Sequence, residues 1–313
     1  MTNSIAELED ADCIFVIGSN TTVAHPLVAM RIYRAKAKGA KIIVADPRQT
    51  QVARLADVYV RHNLGTDVAL VNAMMHAIYK NGWHNQTFVD DRTENFDAFR
   101  EVIEKCTPEW AAEITGVDPD DIVKMAELYA KAEAGSIVYC MGITQHSTGV
   151  DNVKDLANLS MLCGHIGRHA TGVNPLRGQN NVQGACDMGG LPNVYPGYQA
   201  VTVPDLQNKF EQAWDAKLSP SVGLTIMDMM QGIEEGKIKG LVIMGENPMV
   251  SDPDVNHVKH ALEAAEFLMV LDIFPTPTTE LAHLVLPAAS FAEKDGTFTN
   301  SERRVQLVRK AIE

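Results

Sequence analysis

The chain has five cysteines (Cys13, Cys106, Cys140, Cys163 and Cys186) but no CxxC pair among them. Their odd number and wide spacing leave no zinc ribbon or iron–sulfur site to be read here, and they suit reduced thiols in a cytoplasmic setting. No apolar run reaches transmembrane length and no signal peptide opens the sequence, so no membrane contact is expected from this segment. A periplasmic location stays open if the native chain starts further upstream. Basic residues are scarce as well: 27 Lys and Arg stand against 40 Asp and Glu, a formal net charge of −13. Such a balance, without a basic cluster, argues against nucleic acid as a partner. A small anion remains admissible, because a local Arg or helix N-terminus overrides the global field. No GxGxxG follows the first apolar run, and Walker A, GxSxG and HExxH signatures are missing. These absences disfavour an ordinary NAD site, a P-loop, a nucleophile elbow and a helical zinc pair.

What is present is the pattern of an α/β protein. The hydrophobic fraction is 46% and low-complexity tracts are lacking, as in a fully folded chain. At 313 residues it suits two domains or one large one. The apolar run Ile14-Phe15-Val16-Ile17 ends at Gly18-Ser19-Asn20. A helix is expected over about 26–38, closed by Gly39, and then a second run, Ile42-Ile43-Val44-Ala45, ends at Asp46-Pro47-Arg48. Strand, helix, glycine, strand is a βαβ unit, and buried parallel strands read as solid apolar runs of this kind. Further strands are expected at 58–60, 137–140, 241–244, 267–271 and 284–286. Helices are expected after Gly65-Thr66-Asp67, with Val68, Val71, Met75 and Ile78 as the apolar face, through 85–134 with Asp118 as a cap, and over 225–235 and 255–266. Between Gly172 and Gly197 the periodicity gives way to Gly and Asn, as in a long functional loop. The expected architecture is therefore two Rossmann-like units with mainly parallel sheets, residues 1–179 and 180–313.

Ligands of open parallel sheets bind at the carboxyl ends of strands. Those ends supply small and polar groups: Gly18 and Asn20, Asp46 and Arg48, Gly65 and Asp67, Met141 and Gly142 in the first unit, Gly245, Glu246, Asn247 and Asp272 in the second. Asp46 is placed either to cap the next helix or to accept hydrogen bonds from a ribose or a guanine. Gly18 and Gly65 are candidates to let backbone N–H groups approach a pyrophosphate, although Gly65-Thr66-Asp67 also makes a helix start with no ligand. Arg177 lies in the glycine-rich loop with Gln179, Asn180, Asn181 and Gln183 beside it, and its planar fork suits a carboxylate. His25 and His146 read as structural or lining groups. His165 and His169 are four apart, but the glycines around them oppose a helical ligand pair. No metal ligand is assigned, and Cys186 reads as a packed thiol.

The segment GVNPLRGQNNVQGACDMG, residues 172–189, closely resembles the active-site loop of formate dehydrogenase catalytic subunits, within the molybdenum/tungsten bis-pterin oxidoreductases (the dimethyl sulfoxide reductase type of fold). Supporting motifs come in the same order: Gly18-Ser19-Asn20, Ala45-Asp46-Pro47-Arg48, Gly65-Thr66-Asp67, Met141-Gly142-Ile143-Thr144-Gln145, Met244-Gly245-Glu246-Asn247-Pro248, Asp272-Ile273-Phe274 and Asp295-Gly296-Thr297-Phe298-Thr299-Asn300. The resemblance implies that Arg177 orients formate or carbon dioxide, that Gln179 lies beside pterin, that Gln145 is a cofactor-binding residue, and that the two units hold two molybdopterin guanine dinucleotides bearing Mo or W. It implies reversible oxidation of formate, with electrons leaving through a 4Fe–4S cluster to an iron–sulfur partner subunit. The family's cysteine-rich segment, its metal-ligating cysteine or selenocysteine and its C-terminal domain have no counterpart in this sequence. The piece by itself is therefore expected to be inactive, and it can stand apo. A nitrate-reductase-like oxidoreductase and a non-catalytic electron-transfer scaffold of the same fold are the alternatives. The Arg177 loop opposes the first, and retained Asp46, Asp67 and Asp272 oppose the second.

Overall fold

A computed structural model describes residues 1–313. The chain divides into two compact units, Met1–Asn180 with Ser301–Arg304, and Asn181–Asn300 with Val305–Glu313.

The first unit is built on five parallel strands: β1 (Cys13–Ile17), β2 (Lys41–Ala45), β3 (Val58–Val60), β4 (Gly135–Tyr139) and β5 (Gly172–Pro175). Their order across the sheet is β3-β2-β1-β4-β5. The strand order reverses between β1 and β4, so a crevice opens at the carboxyl ends of those two strands. Every residue of β1 and β4 is buried, because side chains of both faces meet a core. One core gathers Phe15, Ile17, Leu70, Met74 and Tyr129; the other gathers Ile14, Val16, Ile32, Ile42 and Val44. The period of two along β1 thus sends alternate side chains into different cores.

The helix Asp67–Lys80 corrects the expectation of a single apolar face. Ala69 through Ile78 are all buried, whereas Val68 is only partly so. The helices Phe96–Ile103, Pro108–Thr115, Pro119–Ala130 and Gly149–Leu162 pack around it, and a helix enclosed on all sides has no polar face to show. Asp118 caps Pro119–Ala130 by accepting from the N–H of Asp120 at 2.9 Å, as the sequence suggested.

The stretch expected to be a loop from Gly172 is a second correction. It opens with β5, whose Val173 pairs with Ile137 of β4. It continues into the second unit as the helix Val182–Asp187 and a hairpin of β6 (Val194–Tyr195) and β7 (Gln199–Ala200). Four residues with Asn174 and Pro175 among them lack the apolar run that marks a buried strand; Asn174 is tolerated because its amide donates to Ser136 Oγ at 2.8 Å. The second unit then adds the helix Pro204–Trp214, which has no counterpart among the expected elements, and a three-stranded parallel sheet of β8 (Gly240–Met244), β9 (Phe267–Asp272) and β10 (Leu284–Pro287) in the order β10-β9-β8. An antiparallel pair, β11 (Gly296–Thr299) and β12 (Val305–Val308), completes it. Its core of Met230, Ile233, Ile243, Val258, Leu262, Leu268 and Val270 lies under the helices Ile226–Glu234 and Val255–Ala264. No helix of the structure is long and apolar enough to cross a membrane.

Candidate functional site

The carboxyl ends of β1, β2, β3 and β4 converge on one cleft of about 420 Å³. Gly18, Asn20, Asp46, Arg48, Gly65, Asp67 and Gly142, seven of the residues singled out in the sequence, line it together, with Pro47, His62, Leu64 and His146. Met141 and Gln145 flank Gly142 without lining the cleft.

Each side of this cleft is held by bonds that the sequence pattern does not display. Gly18 has φ +56°, and a Cβ there would meet the Gly142 carbonyl carbon at 2.7 Å; a Cβ on Gly142 would meet the Gly18 oxygen at 2.6 Å. The two turns touch backbone to backbone, with the Gly142 N–H donating to Gly18 O at 3.1 Å. The Gly18 N–H donates to Ala45 O at 3.3 Å. The missing side chain of Gly18 thus serves the closure of two strand ends, and Gly18 also lines the cleft. Gly65 differs, since with φ +76° a Cβ would meet nothing within 4 Å. Its left-handed turn requires glycine, and the space beside it is the cleft. Immediately after it begins the 14-residue helix Asp67–Lys80, whose first N–H groups and dipole make that end favourable to an anion.

Asp46 is 9% exposed, and its Oδ1 accepts from the Arg48 N–H at 2.8 Å. This turn holds the carboxylate in place at the end of β2 and leaves its second oxygen for the cleft. The remaining acid is deeper. Asp67 is 3% exposed, and its Oδ1 lies 3.0 Å from Nε2 of His62, itself 4% exposed. Sequence reasoning missed His62, for which the only signal is its place between a strand and a glycine turn. His146 Nε2 donates to Gly142 O at 2.9 Å, which steadies the fourth wall.

Arg177 follows β5 and is half-buried. Its N–H donates to Ser301 Oγ at 3.2 Å and its carbonyl accepts from His25 Nε2 at 2.6 Å, so its backbone is pinned from two sides. The neighbouring Leu176 N–H donates to Tyr139 O at 2.9 Å. Gln179 lies two residues on and is exposed. Neither lines the cleft of the four strand ends. His165 and His169 take separate structural tasks: His165 bonds the Tyr129 carbonyl, whereas His169 faces Glu7 and Asp10.

In the second unit, Gly245 and Asp272 sit at the carboxyl ends of neighbouring strands, with the Gly245 N–H donating to Leu271 O at 2.8 Å. Asn247 Oδ1 accepts from Thr278 Oγ1 at 2.7 Å, and Asp272 Oδ1 accepts from the N–H of Ile273 at 2.6 Å. Glu246 is exposed beside them. Nowhere do three His, Cys, Asp or Glu side chains converge as a metal site.

A family model for molybdopterin oxidoreductases matches residues 1–313. The chain belongs to the molybdopterin oxidoreductase family. That family implies a molybdopterin cofactor carrying molybdenum or tungsten. Among curated relatives, the chain is 58% identical over its whole length to the F420-dependent formate dehydrogenase subunit alpha of Methanocaldococcus jannaschii, covering 46% of that protein. It is 54% identical to F420-dependent formate dehydrogenase 1 subunit alpha of Methanococcus maripaludis, again covering 46%. Formate dehydrogenase H of Escherichia coli is 42% identical, with 44% covered. The chain thus spans under half the length of these relatives. Acetylene hydratase from Pelobacter acetylenicus shares the fold, with a TM-score of 0.77 over 99% of this chain and 47% of that one at 20% identity.

The first cleft fits a nucleotide of the kind this family carries. It combines open space over Gly65, a helix N-terminus, the Arg48 cation and the Asp46 carboxylate, and His62 contributes a buried ring nitrogen without a partner.

Proposed function

We propose that this molybdopterin oxidoreductase chain is the nucleotide-cradling part of a formate dehydrogenase catalytic subunit, the whole protein interconverting formate and carbon dioxide. The observation that carries the reading is the convergence of four strand ends on one cleft, in a chain whose relatives of 54% and 58% identity are named formate dehydrogenases. The first unit would hold one molybdopterin guanine dinucleotide: Asp46 accepts from its ribose, while Arg48 and the start of the helix Asp67–Lys80 face its phosphates. The second unit would hold the other through Gly245, Glu246, Asn247 and Asp272. Gln145 and Gln179 are assigned to the pterin side. When bound, the pterin-held Mo or W supplies the two-electron redox chemistry. A 4Fe–4S cluster and an iron–sulfur partner subunit belong to the remainder of the protein, and the compartment is cytoplasmic.

Arg177 is assigned to the carboxylate of formate. A guanidinium grips both oxygens and fixes their plane, whereas an ammonium holds only the charge. The fixed backbone of Arg177, bonded by His25 and Ser301, gives that grip a stable base. In the complete enzyme, Arg177→Lys should leave metal and pterin content unchanged and lower formate turnover about 30- to 1,000-fold, the equivalent of roughly 2–4 kcal/mol. Steady-state formate oxidation with a dye acceptor, normalised to metal, measures this. Unchanged turnover per metal would take Arg177 out of the site and remove formate's carboxylate as its target.

A further inference from the structure

We propose that His25 is a positioning residue: its Nε2–H fixes the main chain of Arg177 and so sets where the guanidinium meets the carboxylate, an inference that rests on the formate reading above.

A backbone carbonyl only accepts hydrogen bonds, so the 2.6 Å contact between His25 Nε2 and Arg177 O requires a proton on Nε2. The other ring nitrogen, Nδ1, is buried without a partner. A buried polar atom left unpaired is costly, and a side chain kept for packing alone would be better apolar. What the ring offers in return is the bond to Arg177.

The backbone that carries this donor is itself fixed. His25 stands between the helices Thr21–Ala24 and Pro26–Ala37. Its N–H donates to Thr21 O at 2.8 Å, and its carbonyl accepts from the Ala29 N–H at 3.0 Å. Pro26 further restricts the backbone of the residue before it. Thr21 is fully buried, and its hydroxyl lies 2.9 Å from the Oγ of Ser19, which is 3% exposed and two residues beyond β1. The donor is thereby referred to the end of β1, at the centre of the sheet.

Arg177 needs such a reference. It follows β5, an edge strand, and the Leu176 N–H makes the last bond of this segment to β4, at Tyr139 O. Beyond that bond the main chain of Arg177 rests on Ser301 and His25. Its guanidinium sits at the end of a long flexible stem, so a shift of the backbone is carried to the charged fork. Misplacing a positioning group by about 1 Å costs up to about a hundredfold in rate.

The test is a double-mutant cycle on the complete, metal-loaded enzyme, read as formate oxidation per metal. His25→Leu should lower kcat/KM for formate about tenfold, the scale of one hydrogen bond. In the Arg177→Lys background the same substitution should cost less than about twofold, because the guanidinium that it positions is gone. Equal losses in the two backgrounds would assign His25 to structure and overturn the proposal. If Arg177→Lys by itself changes nothing, the formate reading falls and the proposal with it. Glutamine and asparagine decide the matter if the leucine variant does not fold. His25→Gln brings an amide N–H near the position of Nε2 and should stay within about threefold of the parent, whereas the shorter His25→Asn should show the tenfold loss. Equal turnover of these two variants overturns the proposal. Imidazole ¹⁵N resonances of this chain test it without any activity: they should show His25 protonated at Nε2, and a lone pair on that nitrogen overturns it.

Discussion

The two units share one plan, parallel strands with small polar residues at their carboxyl ends, yet they differ in how their sheets are covered. In the first, β1 and β4 are buried throughout and each face of the sheet has its own core. In the second, Ile243, Leu268 and Val270 face a core, whereas Val242 and Met244 are 57% and 73% exposed and all four residues of β10 are exposed. Parallel strands in α/β proteins are ordinarily covered on both faces. The strand ends differ in step. Those of the first unit enclose a buried acid–histidine pair, while the strand-end acids of the second stay exposed or half-exposed, Asp272 bonding its own following backbone. A polar group is fixed for a ligand only where a two-sided core immobilises the strands that carry it. Similar small and polar strand ends in the sequence therefore give a built cleft in one unit and an open edge in the other.

Truncation in each sheet should separate the units most sharply. Met74 is fully buried in the first unit, and Met74→Ala should cost about 2–5 kcal/mol. Val242→Ala in the second should stay within about 0.5 kcal/mol, as for an exposed site. Denaturant midpoints measure both, and equal losses would show that the exposed face of β8 is covered in solution. Backbone closeness gives the next contrast. Gly142→Ala drives a Cβ to 2.6 Å from the Gly18 oxygen, with backbone on both sides and no side chain to yield; a loss of about 1–3 kcal/mol is expected. At Gly245 a Cβ meets nothing within 4 Å at φ +65°, so Gly245→Ala should cost only the left-handed strain, about 1–2 kcal/mol. Any gap between the two variants reports the contact between the strand ends.

The smallest expected effect is a dependence on pH confined to the first unit. Burial, and then the charge of Asp151, push the Asp155 carboxyl up to about 7, partly offset by a hydrogen bond from Asn72. An acid whose folded pKa lies above its unfolded one binds more protons when folded, so its ionisation opposes folding. Stability linked to this group is complete below the unfolded value near 4 and is lost as pH rises through about 7. Asp155→Asn should therefore raise the melting temperature more at pH 8 than at pH 5, with the gain levelling off above neutrality. A gain independent of pH would show that Asp155 is not the titrating group.

Much of this was legible in the sequence. The runs at Ile14, Ile42, Leu241 and Phe267 became strands because four or five consecutive apolar residues between turn signals leave a buried parallel strand as the economical outcome. The glycines, acids and Arg48 at the strand ends of the first unit came together in one cleft because parallel strands share a direction. The stretch at Gly172 misled because Asn174 is polar, and its burial is licensed by a hydrogen bond to Ser136, 38 positions away. Val68 misled because the enclosure of its helix depends on four other helices.

The sequence by itself determined the alternation of elements, the side on which polar strand ends gather and the family, since each of these rests on local pattern. Only the tertiary structure decided that Gly18 and Gly142 touch backbone to backbone, that Arg177 has its backbone pinned by His25 and Ser301, and that His62 is a buried partner of Asp67. Those facts depend on atoms brought within about 3 Å by chain closure, and no local periodicity records such distances.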